Sequence, residues 1–221
     1  MAWRPTAPSE RTRPSRHGGS VFFSGVSKYF KRESYHIIEG KRLEFCPDYM
    51  GKLVIFGDAR VGKTALETHL DPIFKPQDPS EITIGVTFHK LRLEFNGYQV
   101  ILQIWLMSSE DRFLKHGISR MQISGSLGAI LLFDITKASS LERVPMWCEM
   151  LEERCGNIPI LLVGNKVDDK QHRAVSKTRA IEIREKYNLT SYIEVSAKTG
   201  VNVRKMFELV GELMLKHVLK K

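Results

Sequence analysis

The sequence has no hydrophobic run long enough to cross a lipid bilayer, and it contains few cysteines. Its longest apolar stretches, such as residues 129–133, have the length of a β-strand. The three cysteines, Cys46, Cys148 and Cys155, match neither metal-binding nor redox spacing. Because their number is odd and no secretion signal is recognisable, we expect a reducing, intracellular and cytoplasmic environment. These absences argue against a membrane-spanning protein and against a disulfide-stapled secreted domain.

Acidic residues are outnumbered, since 25 Asp and Glu face 34 Lys and Arg, which gives a net charge of +9. This balance favours an acidic partner such as a nucleotide, an anionic membrane surface or a nucleic acid. No combination of arginines and aromatics resembles an RNA-binding signature, so nucleic acid is the least favoured of the three. With 221 residues, the chain can form one well-buried α/β domain plus an extension.

The first fifty residues differ in composition from the rest of the chain. Residues 1–20 are rich in arginine, proline and serine with Glu10 as their one acid, and we predict a disordered basic arm. An organelle transit peptide is the alternative, although the arm has no clear amphipathic helix. Residues 21–50 combine aromatic and basic residues, so they are expected to pack on the following domain, residues 51–221. Binding a partner or an anionic membrane surface, as a peripheral protein, are the other two interpretations.

From Lys52 onward, strand patterns alternate with helical patterns. Asn96-Gly97 between two apolar strands predicts a hairpin, and therefore one antiparallel pair. The alternation predicts an α/β fold with a doubly wound, mostly parallel six-stranded sheet and one antiparallel edge pair. The predicted strands are 52–56, 86–95, 100–105, 129–135, 158–163 and 192–195, and the predicted helices are 64–70, 141–154, one capped by Ser176, and one from Val203.

A glycine-rich motif, G-x-x-x-x-G-K-[ST], lies between the first strand and the first helix, and we call it the phosphate loop. Its glycines let backbone N–H groups approach a phosphate closely, and the N-terminus of the following helix faces the same anion. Lys63 is predicted to contact the β- and γ-phosphates, and the Thr64 hydroxyl to bind Mg²⁺. A chance glycine turn is the alternative, but strand and helix both stand where the motif requires them. The eight loop residues are Gly57, Asp58, Ala59, Arg60, Val61, Gly62, Lys63 and Thr64.

Two further motifs follow strands at their carboxyl ends, where open α/β sheets bind ligands. The NKVD motif is Asn165-Lys166-Val167-Asp168, and the SAK motif is Ser196-Ala197-Lys198. Together with the phosphate loop, with Thr83-Ile84-Gly85-Val86 and with Leu102-Gln103-Ile104-Trp105, they make residues 50–219 resemble the Ras superfamily of small GTPases, most closely its Rab branch. The resemblance implies a GTP/GDP site with Mg²⁺.

The resemblance assigns a role to each of these motifs. Asp168 would accept hydrogen bonds from guanine N1 and N2 and so reject adenine. Asn165 would support the base and hold the phosphate loop, and the stem of Lys166 would cover one face of the ring. The Ala197 N–H would meet guanine O6, which leaves Ser196 and Lys198 as flanking members of the same site.

Four more positions carry a family role alongside an ordinary structural one. Thr83 matches the switch I threonine that binds Mg²⁺ and senses the γ-phosphate, or it is simply a residue at a strand edge. Phe74 stacks on guanine or anchors its loop in the core. Phe88 and Trp105 are expected to lie side by side as a surface for an effector or regulatory protein, alongside the switch regions, or to pack in the core.

Switch II departs from the family pattern, because the segment 106–111 reads LMSSED where the family has DTAGQE. Leu106 replaces the aspartate that holds Mg²⁺ through water, and Ser109 replaces a glycine whose N–H reads the γ-phosphate. Glu110 replaces the glutamine that orients the attacking water. As a catalytic candidate Glu110 is poor, since a carboxylate repels the γ-phosphate and cannot donate to the transition state. Arg60 is unusual in the phosphate loop, where it either neutralises phosphate charge or points to solvent.

These observations give three hypotheses. The favoured one is a guanine-nucleotide-binding protein with impaired or unusual GTP hydrolysis, which acts as a regulatory switch or binding module. The second is a fully active GTPase that uses Glu110 or a group supplied by a partner. The third is a scaffold subunit with fixed or no nucleotide. The sequence ends without a cysteine, so we expect either a truncated chain or one without a lipid anchor at that end.

Overall fold

The computed structural model describes residues 47–70, 86–107 and 122–220. The predicted basic arm and residues 21–46 of the aromatic segment lie outside these ranges. The same holds for Phe74, Thr83, Ser109 and Glu110, whose predicted roles therefore stay predictions. Within the described ranges, no helix is both long enough and apolar enough to span a membrane.

The described strands are β1 Tyr49–Phe56, β2 Val86–Phe95, β3 Tyr98–Met107, β4 Gly128–Asp134, β5 Ile160–Asn165 and β6 Ser191–Glu194, and the described helices are α1 Lys63–Leu66, α2 Ala138–Glu142, α3 Val144–Cys155, α4 Lys177–Lys186 and α5 Val203–Leu219. A 3-10 turn, Glu67–His69, follows α1. The strands form a six-stranded sheet at the centre of the molecule, in the order β2-β3-β1-β4-β5-β6. Among these strands only β2 and β3 pair antiparallel, and β2 forms the edge, so the predicted fold class is confirmed.

The sheet is buried on both faces, because helices cover each of them. In β1, Leu53 and Ile55 join the apolar cluster under α5, whereas Val54 and Phe56 join the cluster under α3 and α4. This is the alternation of side chains that a strand imposes. Burial on both faces explains why the central strands read as continuous apolar runs.

Local chemistry explains where the elements begin and end. Asn96 and Gly97 both have positive φ, as a two-residue type I′ hairpin turn requires. The Arg179 N–H donates to Ser176 Oγ at 3.1 Å, which confirms the predicted cap of α4. The helix predicted over 141–154 is present as α3, which begins three residues later than expected. The short helix α2 before it is not predicted by the sequence. The two separate at Arg143, because Pro145 in the first turn of α3 has no N–H with which to continue α2.

Candidate functional site

The carboxyl ends of the parallel strands bring the predicted motifs to one edge of the sheet. The phosphate loop follows β1, Asp134 ends β4, the NKVD motif begins in the last residue of β5, and the SAK motif follows β6 closely. Strand order places β1, β4, β5 and β6 side by side, so these segments are neighbours in space. The sequence-predicted arrangement of the three motifs is therefore present.

The backbone of the phosphate loop has room only for glycine at Gly57 and Gly62. A Cβ at Gly57 would lie 2.2 Å from the Leu132 carbonyl oxygen, and one at Gly62 would lie 2.2 Å from Asn165 Nδ2. Arg60 and Gly62 have φ of 64° and 102°, the left-handed conformation found in turns whose successive N–H groups bind an anion. Because α1 has only four residues, these loop N–H groups rather than a long helix dipole would hold an anion.

Lys63 closes over this loop. Its Nζ donates to the carbonyl oxygens of Gly57 at 2.8 Å and Asp58 at 2.7 Å. Burial lowers the pKa of Lys63 to about 8, although the nearby Asp58 carboxylate acts in the opposite direction. A phosphate placed beside this ammonium group would favour its charged form and raise that pKa again. The lysine is thus held where the loop could present it to an anion.

The other side chains of the loop point in different directions. Asp58 forms an ion pair with Arg143, with 3.1 Å between Oδ1 and Nε, and this pair fastens the loop to the start of α3. Val61 is buried, whereas Ala59, Arg60 and Thr64 are exposed. The exposed position of Arg60 agrees with its solvent-facing interpretation and leaves its guanidinium beside the loop.

Asn165 joins the three motifs through its amide. Its Nδ2 donates to the Val61 carbonyl in the phosphate loop at 2.7 Å, and its Oδ1 accepts from the Ala197 N–H at 2.8 Å. The residue is 1 % exposed, so both hydrogen bonds are shielded from water. The predicted hold of Asn165 on the phosphate loop is therefore present. The Ala197 N–H, expected to meet guanine O6, is already donated to Asn165.

Asp168 is oriented by Ser196. The Ser196 hydroxyl donates to Asp168 Oδ1 at 2.5 Å, and Ser196 Oγ itself accepts from the Thr199 N–H at 3.0 Å. Asp168 itself is exposed, while Ser196 is fully buried. The serine thus fixes one carboxylate oxygen from below and leaves the carboxylate open toward solvent, as a group that recognises a base requires.

Sequence reasoning missed Asp134, which holds Lys166. Lys166 Nζ lies 2.5 Å from Asp134 Oδ2, while Asp134 Oδ1 accepts from both the N–H and the hydroxyl of Thr136. Burial by itself would raise the pKa of Asp134, but the hydrogen bonds from Lys166 and Thr136 outweigh it, and the pKa lies below its usual value. The signal in the sequence was an acidic residue that ends a buried strand at the ligand-binding edge.

A second missed cluster supports the SAK motif from the outside. Arg173 donates two hydrogen bonds to the Glu194 carboxylate, at 2.9 Å and 2.8 Å, and the Tyr192 hydroxyl donates a third at 2.8 Å. Burial would raise the pKa of Glu194, but these hydrogen bonds lower it. Because Glu194 lies two residues before Ser196, the cluster ties the segment after the NKVD motif to the strand that carries the SAK motif.

Leu106 lies at the carboxyl end of β3 and is 4 % exposed. It belongs to the same apolar cluster as Val61 of the phosphate loop and Leu66 of α1. Thr64 is the one described residue among the predicted Mg²⁺ ligands, and the described ranges contain no group of His, Cys, Asp and Glu that could hold a metal. The geometry of the phosphate loop fits a phosphate, and Thr64 stands beside it at the start of α1.

Phe88 and Trp105 form the predicted aromatic pair. They are cross-strand partners in β2 and β3, with ring centroids 4.5 Å apart and planes at 85°. Both rings are half-buried and pack against the cluster under α3. Buried Lys52, which no sequence pattern indicates as a partner of this pair, has its Nζ 3.7 Å from the Trp105 ring centroid. The same ammonium donates to the carbonyls of Gln122 and Ser124, and burial lowers its pKa to about 8.

Comparison with known proteins agrees with this geometry. A model of the Ras family matches residues 52–216. The chain is similar to Ras-related protein Rab-19 from Bos taurus, with 35% identity over 177 residues that cover 78% of this chain and 79% of that protein. It is similar to Ras-related protein RABA2a from Arabidopsis thaliana, with 36% identity and 79% of each chain covered. Human Ras-related protein Rab-27B is 33% identical over 77% of this chain and 82% of its own length.

Proposed function

Because this chain belongs to the Ras family of GTP-binding small GTPases and is Rab-like in sequence, we propose that it is a regulatory switch with slow hydrolysis of GTP. Buried Leu106, at the end of β3, is the observation that carries the slow hydrolysis. The hydrogen bonds of Asn165 support the proposed binding of a nucleotide, because they hold the phosphate loop and the SAK motif in fixed positions relative to each other.

In this proposal, Lys63 and the N–H groups of the phosphate loop bind the phosphates, and Asp168 accepts from guanine N1 and N2. Lys166, which is held by Asp134, covers one face of the ring with its methylene stem. Ser196 keeps the Asp168 carboxylate in place. Each of these residues binds or orients the nucleotide, and none of them performs a chemical step.

Slow hydrolysis follows from what the switch II segment offers. The leucine side chain provides no oxygen that could bind a cation directly or through water, and it is buried in an apolar cluster. Glu110 carries a negative charge where an amide would orient water and donate to the transition state. Thr83 and Phe74 complete the proposed site in switch I. Exchange of nucleotide, rather than its hydrolysis, would then control the switch.

Nucleotide content tests this proposal directly. We expect about one guanine nucleotide per chain when the purified protein is denatured and its supernatant is analysed by ion-exchange chromatography, because a closed guanine site releases its ligand slowly. Added GDP should bind and added ADP should not. A chain that carries no nucleotide and binds neither GDP nor GTP would instead be a scaffold, and the proposal would be wrong.

The aromatic pair is our proposed surface for an effector or regulatory protein. We expect Trp105→Ala to weaken capture of a partner selected with the GTP-loaded chain by about tenfold, since aromatic anchors dominate such interfaces. Guanine nucleotide binding should not change. Tyr98→Ala is the matched control, because this exposed aromatic lies on the same strand and contacts Tyr49 instead. Simultaneous loss of partner and nucleotide would assign Trp105 to the core.

Residues 21–50 are our candidate for contact between this intracellular protein and an anionic membrane surface. The basic and aromatic composition of the segment supports it. Pelleting of the full chain with anionic vesicles, but not with neutral ones, tests this contact.

A further inference from the structure

His69 makes a hydrogen bond that no motif predicts. It ends the 3-10 turn after α1, and its Nε2 lies 2.8 Å from the carbonyl oxygen of Ala197 in the SAK motif. Since a carbonyl oxygen can only accept, Nε2 carries the hydrogen and donates it. The two residues are 128 positions apart in the chain. The bond therefore joins the segment that follows the phosphate loop to the segment proposed to meet the base.

This bond completes a closed circuit. Val61 accepts from Asn165, Asn165 accepts from the Ala197 N–H, and the Ala197 carbonyl accepts from His69. The chain itself connects His69 back to the phosphate loop, because the short helix α1 that begins at Lys63 leads directly to the turn that ends at His69. The circuit contains one residue from each part of the proposed site, so a shift of the SAK motif would disturb the phosphate loop as well.

The hydrogen bond from His69 restrains the peptide unit that joins Ala197 to Lys198. A peptide unit is planar and trans, so a grip on the Ala197 carbonyl also fixes the N–H of Lys198, which points in the opposite direction from the carbonyl. The N–H of Ala197 belongs to the preceding peptide and is fixed separately by Asn165. His69 and Asn165 thus set the directions of two consecutive N–H groups in the SAK motif.

Close packing supports this grip. The imidazole lies against Gly200, where a Cβ would come within 3.1 Å of His69 Cε1. Gly200 also donates its N–H to the Ser196 carbonyl at 2.8 Å, so the turn that carries the SAK motif is closed on itself. The ring therefore contacts both ends of the segment 197–200, although the side chain is largely exposed. An exposed imidazole that makes these contacts is available for substitution without opening the core.

We propose that His69 is a positioning residue for guanine, which orients the Lys198 N–H of the SAK motif toward the carbonyl oxygen at position 6 of the base. This inference rests on the proposed function, because it needs a guanine nucleotide in the site. It assigns a specificity role to a side chain outside the three motifs. The Nε2 donor of His69 is occupied by the Ala197 carbonyl, so this inference assigns it no hydrogen bond to the base.

Two substitutions separate the hydrogen bond from the shape of the side chain. His69→Leu removes the donor, whereas His69→Gln keeps a donor that can reach the same carbonyl. We expect His69→Leu to accelerate dissociation of GDP about fivefold, as the loss of one hydrogen bond predicts, and His69→Gln to stay within about twofold of wild type. Thr68→Ala is the matched control, because its hydroxyl donates to the Ala65 carbonyl rather than to the SAK motif.

The analogue 6-thio-GDP distinguishes a positioning role from a merely structural one. It keeps guanine N1–H and the 2-amino group but replaces the carbonyl oxygen by sulfur, a weak acceptor. The wild-type preference for GDP over 6-thio-GDP should fall about fivefold in His69→Leu and persist in His69→Gln. Equal weakening of both nucleotides, or no change in either, would overturn the inference. A wild-type chain that binds neither would overturn the proposed function, and the inference with it.

Discussion

Asp168→Asn should change the base that the protein prefers from guanine to xanthine. A carboxylate accepts from both guanine N1–H and the 2-amino group, whereas an asparagine presents one acceptor and one donor. The asparagine NH₂ would face the guanine 2-amino group, donor against donor, but it would donate to the 2-carbonyl oxygen of xanthine. We expect affinity for GDP to fall about 10⁴-fold and affinity for xanthosine diphosphate to rise above that for GDP.

Titration of nucleotide-free protein with the two diphosphates, by calorimetry, measures both changes. Asp169→Asn is the matched control, because it removes the same charge from the neighbouring residue, whose carboxylate contacts His172 at 2.7 Å. Ser196 can still orient the new side chain, since a hydroxyl both donates and accepts. Unchanged discrimination in Asp168→Asn would show that the base is recognised elsewhere and would contradict the proposed guanine site.

The sequence predicted the sheet and its motifs because both are local signals. A buried strand followed by G-x-x-x-x-G-K-T predicts a phosphate loop and the helix after it, and Asn96-Gly97 between two apolar strands predicts a hairpin turn. The ends of the strands were predicted less accurately than their existence: β5 runs over Ile160–Asn165 rather than the expected 158–163. A strand end depends on which neighbour it pairs with, and that neighbour, here β4, is distant in sequence.

The contacts that support the site were not predictable in the same way. His69 and Asp134 each contact a residue of a motif from a different segment of the chain, so no spacing in the sequence reveals them. The bond between Glu194 and Arg173 likewise joins two segments that are distant in sequence. Asn165 was predictable because a family role accompanied it. The sequence predicts the chemistry of each motif. The fold adds the residues outside the motifs that hold each of them in position.

Restoring switch II should accelerate hydrolysis more than any other change to this chain. In the variant that combines Leu106→Asp with Glu110→Gln, a carboxylate returns to the end of β3 and an amide to the position that orients water. Because one lost transition-state donor costs about 100-fold in comparable sites, we expect single-turnover hydrolysis of bound GTP to rise by about 100-fold over wild type. Rapid quenching and measurement of released phosphate give the rate.

This variant should also be less stable than wild type, because it places a carboxylate in the core, and the control must separate that loss from the change in rate. Leu106 is buried beside apolar neighbours, so a carboxylate there should lower the free energy of unfolding by about 3 kcal/mol. Leu106→Asn combined with Glu110→Gln has nearly the same shape without the charge, and it should lose stability without gaining the Mg²⁺-dependent part of the rate. If wild type already hydrolyses GTP at about 10⁻⁴ s⁻¹, as ordinary small GTPases do, the substitutions at 106 and 110 do not impair it, and slow hydrolysis is the wrong part of the proposal.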